Sequence, residues 1–399
     1  MVGLVKNSPV LLLDGEQRAS LAAARSLGSK GIDVIVGSAY RASLAGSSRY
    51  VKKQMQYTSP LENPGEFLHD IQSVVKSFNI GMVLPITDLT MYLTLNNSIR
   101  IMPATVPLIT YDRYLAASNK IHLMKLAERI GVPIPSTIII EESGDLDKHL
   151  SSLSYPVILK PMSSLLQHGN KLIRTTVKIP QSREELINEV NGNIAFHYPY
   201  MIQEKVRGEG IGIFTLFDKG RPVTVFAHRR VREKPPWGGV SVVSESVEPD
   251  PEAKEYAMRL LEELQWVGPA MVEFKRDEKR GVPVLMEINA RFWGSLQLAI
   301  SSGVDFPYLL YKLWKGESIE PITNYRHTRM RWLLGDLDNL YISLRTNRSK
   351  LPEENYNKRK VIVNFIKEFF LESKDEVFRF DDARPSITEL WQYILNILK

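Results

Sequence analysis

Residues 282–295 read VPVLMEINARFWGS, and this stretch limits the fold more tightly than anything else in the chain. Val284, Met286 and Ile288 alternate with Leu285, Glu287, Asn289 and Arg291, which is the period of a strand. Side chains two residues apart leave a strand on one side, ~6.5–7 Å from each other. Glu287, Asn289 and Arg291 therefore share a face, and Val284, Met286 and Ile288 turn to a core. Just upstream, PAMVEFKRD is a second strand, joined to the first through the turn-like DEKRG. A hairpin symmetric about Lys279–Arg280 sets Glu273 near Glu287 on the adjoining strand.

Facing carboxylates destabilise a sheet, and at ~4–5 Å their repulsion reaches several kcal/mol in a partly buried site. Protonation of one glutamate offsets that cost, as does neutralisation by Arg291 or Lys275. A divalent cation satisfies both acids and Asn289 together. Oxygen ligands in this number suit Mg²⁺ or Mn²⁺. A surface hairpin with a cross-strand ion pair accounts for the same residues.

The start of the chain has another pattern. PVLLLD reads as a buried strand, GEQRASLAAARSLGSKG as a helix stopped near Gly31, and IDVIVGS as a second strand. EFLHDIQSVVKSFN (helix) and IGMVLPI (strand, with Asp88 at its end) repeat the unit, which predicts a parallel sheet covered by helices. The first strand–helix turn is DGEQRAS rather than G-x-G-x-x-G, and no P-loop pattern occurs, so this domain is a scaffold rather than a dinucleotide site. A helix (NKIHLMKLAERIG) follows, then the extended stretches YPVILKP, KLIRTTV, YMIQEKV, GIGIFTLF and PVTVFAHRRV. Beyond residue 325 the pattern is helical and basic, ending in SITELWQYILNILK.

Composition narrows the chemistry. The 399 residues include no cysteine, which excludes disulfides, thiol nucleophiles and thiolate metal sites. No apolar run reaches the ~18 residues of a membrane span, and the N-terminus does not read as a signal peptide, so a cytoplasmic protein without membrane attachment is expected. The net charge of +6 favours anionic partners. Its excess lies in two clusters, one from His228 to Lys234 and one from Arg326 to Arg331. The 324–360 stretch lacks the interleaved aromatics that stack bases, so nucleic acid is not expected.

Two more segments carry potential chemistry. Lys160 ends the apolar strand VILKP, where it either projects into a cleft or is solvated. In MIQEKVRGEG the extended Glu204, Lys205 and Val206 expose backbone groups that can read an adenine edge, and Glu209 follows within reach of a ribose; a solvated turn fits as well.

Together, NKIHLMKLAERIGVPIP, VILKP, IQEKVRGEG, HRRVREKPPWGGVSVVSES, MVEF and MEINARFWGS resemble the ATP-grasp superfamily, most closely its carbamoyl-phosphate-synthase-like and carboxylate–amine ligase branch. The resemblance implies an α/β chain: a Rossmann-like pre-ATP-grasp domain over residues 1–115, an ATP-grasp fold of two α+β subdomains clamping ATP over 116–325 (lid about 150–205), and a mostly helical extension over 326–399. It implies that Lys120 and Lys160 hold ATP phosphates. By the same resemblance, Glu204, Lys205 and Val206 would form the adenine hinge, and Glu209 would contact ribose. The resemblance also implies that Glu273, Glu287 and Asn289 would bind Mg²⁺ or Mn²⁺ and that Arg291, with Arg230, would meet the substrate carboxylate or acyl phosphate. The implied function is an ATP-dependent ligase joining a small-molecule carboxylate to an amine or amino acid through an acyl phosphate. Residues 326–399 match no motif and read as a helical cap on the core or as an element for homodimer formation or substrate covering. One departure stands out. PMSSLLQHGNK, where the resemblance implies a glycine-rich lid, has Gly169 alone and carries Leu165 and Leu166. That departure favours an alternative, an ATP-binding regulator with little or no turnover.

Overall fold

The computed structural model describes residues 8–142, 144–169, 171–348, 351–352 and 355–397. Residues 1–7, part of the segment weighed as a leader, lie outside these, as does Asn170 of the expected lid. The chain divides into two compact units: residues 1–107, 223–249 and 291–399, and residues 108–222 and 250–290.

The first unit holds a four-stranded parallel sheet in the order Lys53–Gln56, Val34–Ser38, Val10–Leu12, Met82–Leu84. It is the Rossmann-like layer the βα pattern predicts. Val10, Leu11 and Leu12 are fully buried, as suits a strand flanked by others. The helix Pro64–Phe78 starts on Asn63, whose side chain accepts from Glu66 N, and ends on Asn79 in the left-handed conformation at φ 50°. The long strand Arg221–Lys234 pairs antiparallel with Val240–Val247.

The C-terminal segment is mostly helical, with Leu333–Arg345, Lys358–Lys367 and Arg384–Ile397. It also supplies the strand Arg329–Arg331, antiparallel to Val240–Val247, and the strand Ser373–Asp375, parallel to Arg329–Arg331. Three-residue strands are too short to leave a period in sequence, so the helical reading passed over them.

The second unit holds a three-stranded sheet, three strands of a larger sheet and a two-stranded hairpin. In the first, Thr137–Ile140, Tyr200–Glu204 and Val157–Pro161 lie antiparallel with Tyr200–Glu204 central. Val157, Leu159, Tyr200 and Ile202 pack with Leu146, Leu186 and Phe196 in one core. The alternation therefore turns Ile158, Lys160, Met201 and Gln203 to the other face. In the second sheet, Gly268–Arg276 pairs with Gly210–Asp218 and with Pro283–Asn289. The lid segment forms a hairpin, Leu165–His168 with Lys171–Arg174, and Gly169 at φ +58° sits in its turn. Among the described residues no helix is long and apolar enough to cross a membrane.

Candidate active site

Glu273 and Glu287 are direct register partners, and Gly212 sits opposite Glu273 on its other side. The register slips by one after Glu273, so that Phe274 faces Leu285. That bulge removes Leu285 from the glutamate face, where strict alternation placed it, and Leu285 is fully buried instead. Asn289 Nδ2 donates to Glu287 Oε1 at 3.0 Å. Two carboxylates and an amide form a hard oxygen donor set that fits Mg²⁺ or Mn²⁺. Among the described residues no cluster of three or more His, Cys, Asp or Glu side chains is arranged for a metal.

Glu287 also acts on a buried lysine, Lys160. Lys160 and Lys120 are both buried, and Lys120 Nζ donates to Ser164 Oγ at 3.1 Å. Burial pushes Lys160 down to about 8; Glu287 opposes the shift, while Lys120 and Lys275 add to it. One acid and two further lysines thus act on one buried ammonium. Lys275, considered in the sequence as a neutraliser of the glutamates, joins this cationic group because it lies two residues from Glu273 on the same strand. Ser164 carried no sequence signal.

The segment after Tyr200–Glu204 lines a cavity of about 530 Å³ with Glu204, Lys205, Val206, Tyr155, Pro156 and Lys279. The Glu204 carboxylate accepts from Ser136 N at 2.8 Å and pairs with Arg280. Its side chain is thus engaged within the protein. Val206 is buried, while Lys205 and Glu209 are exposed. Gln203, which the sequence reading missed, is buried with Nε2 donating to Thr137 Oγ1 at 2.9 Å. Its buried Oε1 has no hydrogen-bond partner and lies on the Lys160 face of the sheet. An unmet buried acceptor calls for a donor, and the amino group of adenine is one.

In the other unit, Arg291 grips Asp88 in a two-pronged pair and also donates to the Phe292 carbonyl at 3.2 Å. Arg230 pairs with Glu233 at 2.9 Å. The anion preference suggested by the basic clusters is corrected here. Arg229 pairs with Glu245, Arg232 with Asp336 and Glu368, Arg329 with Glu245 and Glu368, and Arg331 with Asp336. These acids come from segments 16 to 136 residues away apart from the local Arg331 pair, so the sequence showed a basic run where the fold builds a neutralised network.

Residues 197–335 match the family model ATPgrasp_Ter, described as ATP-grasp in the biosynthetic pathway with Ter operon. The chain is 28% identical over 167 residues to the formate-dependent phosphoribosylglycinamide formyltransferase of Sulfurisphaera tokodaii, covering 39% of this chain and 41% of that one. It is 26% identical over 114 residues to the alpha-aminoadipate–LysW ligase LysX of the same organism, covering 28% and 39%. The chain thus spans less than half the length of these curated relatives. The crystal structure of L-amino acid ligase from Bacillus licheniformis superposes with a TM-score of 0.61 at 16% identity, covering 82% of this chain and 81% of that one. The fold is that of the ATP-grasp enzymes, and the relatives lie in the branch the motifs resemble.

Proposed function

We propose that this ATP-grasp chain is an ATP-dependent ligase that joins a carboxylate to an amine through an acyl phosphate. The observation that carries the proposal is the register pair Glu273–Glu287, together with the buried Lys160 on which Glu287, Lys120 and Lys275 act. Paired acids together with a buried ammonium on which further lysines act are costly for a protein alone and suit a metal–polyphosphate.

Each residue then has a task. Glu273, Glu287 and Asn289 hold Mg²⁺ or Mn²⁺, which when bound spreads the charge of the nucleotide phosphates. Lys120 and Lys160 hold phosphate oxygens, and Lys275 adds positive charge. Phosphoryl transfer asks mainly for positioning and distributed charge. Gln203 Oε1 accepts from the adenine amino group, Lys205 and Val206 contact the base through their backbone, and Glu209 meets ribose. Arg291, with Arg230, binds the substrate carboxylate. Transfer of the γ-phosphoryl group to that carboxylate gives an acyl phosphate and ADP. The amine attacks the acyl carbon, phosphate leaves, and the amine proton passes to solvent or phosphate.

The test is ADP release with MgATP and a panel of small carboxylates and amines. The proposal requires release that depends on both partners. Tight nucleotide binding with no release across a broad panel would favour the regulator, which the single glycine of the Leu165–Arg174 hairpin supports.

A further inference from the structure

Asp14 is a buried acid to which the ligase reading gives no task, and two features make it unusual. Its backbone stands at φ 55°, in the left-handed region that residues other than glycine adopt rarely. Its side chain is removed from water, and that burial pushes its carboxyl up to about 6; the Thr90 hydroxyl and the Ile86 and Thr87 amides oppose the shift, and Glu16 adds to it. An acid raised in this way costs stability as pH climbs past its ordinary value. An uncommon backbone and a buried charge on one residue point to a functional constraint.

The carboxylate holds the turn behind the partner of Arg291. Val10–Leu12 and Met82–Leu84 are parallel neighbours, so Asp14, after the first strand, and Asp88, after the second, emerge at the same end of the sheet. Asp14 Oδ2 accepts from Ile86 N at 3.0 Å, from Thr87 N at 2.9 Å and from the Thr90 hydroxyl. Oδ1 accepts from the Thr87 hydroxyl at 3.2 Å. Two amides and two hydroxyls from residues 86–90 thus converge on one carboxylate. An asparagine offers one acceptor oxygen to these donors and an alanine none. Thr87 caps the helix Asp88–Asn96, and Asp88, its first residue, takes both prongs of Arg291. Val34–Ser38 lies on one side of Val10–Leu12 and Met82–Leu84 on the other. Such a reversal of strand order is where open α/β sheets take ligands.

We propose that Asp14 is a positioning residue for the carboxylate site: by clamping residues 86–90 it fixes Asp88, and through Asp88 the plane of the Arg291 guanidinium. The task rests on the reading that Arg291 binds the substrate carboxylate, whereas the link from Asp14 to Arg291 stands without it.

NMR of the full chain with labelled arginine tests the link. The Nε–H signal of Arg291, identified by its absence in Arg291→Lys, should lie apart from those of exposed arginines, because a fixed charge-assisted bond holds it. Asp14→Ala should move it to the exposed-arginine position or broaden it away. Val34→Ala opens a cavity at a fully buried side chain on the far side of Val10–Leu12. It should leave the signal in place although the unfolding midpoint falls. If Asp14→Ala does not fold, Thr90→Val, which removes one hydroxyl donor at nearly equal volume, decides by the same signal. In turnover, Asp14→Ala should raise the KM for the carboxylate about tenfold, below the roughly hundredfold that misplacing a reacting group can cost. The KM for ATP should stay within about twofold. An Arg291 signal unmoved in the folded variants, or lost equally in Val34→Ala, overturns the proposal, as does an equal rise in both KM values. If no carboxylate is turned over, the ligase reading fails, and the NMR result still decides the clamp.

Discussion

Arg291 and Asp88, 203 residues apart in the chain, form a bidentate pair, with Nε 3.0 Å from Oδ1 and Nη2 3.2 Å from Oδ2. Two parallel charge-assisted bonds fix the plane of the guanidinium. We therefore predict that Asp88→Asn raises the KM for the carboxylate while nucleotide affinity by calorimetry stays within about twofold. Arg291→Ala should reduce product formation by about a hundredfold or more, in the range for losing a charged substrate contact. Equal losses of nucleotide affinity and product formation would move Arg291 to the ATP side of the site.

Glu287 faces Glu273 but also acts on Lys160. Removing its charge relieves one repulsion and deprives Lys160 of an attraction, so the two effects oppose each other. Glu287→Gln is expected to change stability by less than about 1 kcal/mol and to abolish the extra thermal stabilisation that Mg²⁺ gives with ATP. Retained Mg²⁺ dependence in the folded variant would remove Glu287 from the metal set.

Lys160 sets a pH window. Its folded value of about 8 lies below the ordinary 10.5, first because of burial. The unfolded chain thus binds more protons between those values, and stability should rise with pH across that window. The penalty, about 3 kcal/mol, is present in full below pH 8. Phosphate oxygens stabilise the charged form, so nucleotide affinity should be level below pH 8 and fall about tenfold per unit above it, with proton uptake on binding. Lys160→Met should flatten both profiles; an unchanged profile would assign the titration to another group.

Gly208 holds φ +138°, and a Cβ there would stand 1.8 Å from the Arg276 carbonyl oxygen. Gly208→Ala must push the start of Gly210–Asp218 away from Gly268–Arg276, costing about 2 kcal/mol or more. Nucleotide affinity should fall with it, since Lys205 and Val206 lie two to three residues away. Gly210→Ala, where the added methyl meets nothing within 4 Å, is the neutral comparison by chemical denaturation.

Glu368 is buried between Arg329 and Arg232. Burial pushes its carboxyl up, but the two arginines outweigh that and hold it below the ordinary value. Its contribution is therefore present at neutral pH and lost as acid protonates it. Glu368→Gln should cost about 3 kcal/mol, the range for breaking a buried ion pair, with the loss shrinking at low pH. A difference that grows on acidification would contradict this account.

The sequence by itself settled the local facts. Periods of 2 and 3.6 residues follow from backbone geometry, so the parallel βα units, the glutamate hairpin and the strand-end Lys160 were legible before any packing was known. The resemblance supplied the ATP-grasp fold that the comparisons bear out.

Tertiary structure decided which charges meet. Nothing near Arg291 in the sequence points to Asp88, and nothing near Arg232 points to Asp336 or Glu368; these partners arrive when distant segments pack. The one-residue slip after Glu273 and the unmet acceptor of Gln203 likewise exist only once strands are in register. The reason is physical: side-chain direction is fixed within a few residues of backbone, whereas burial and charge pairing depend on every segment that comes into contact.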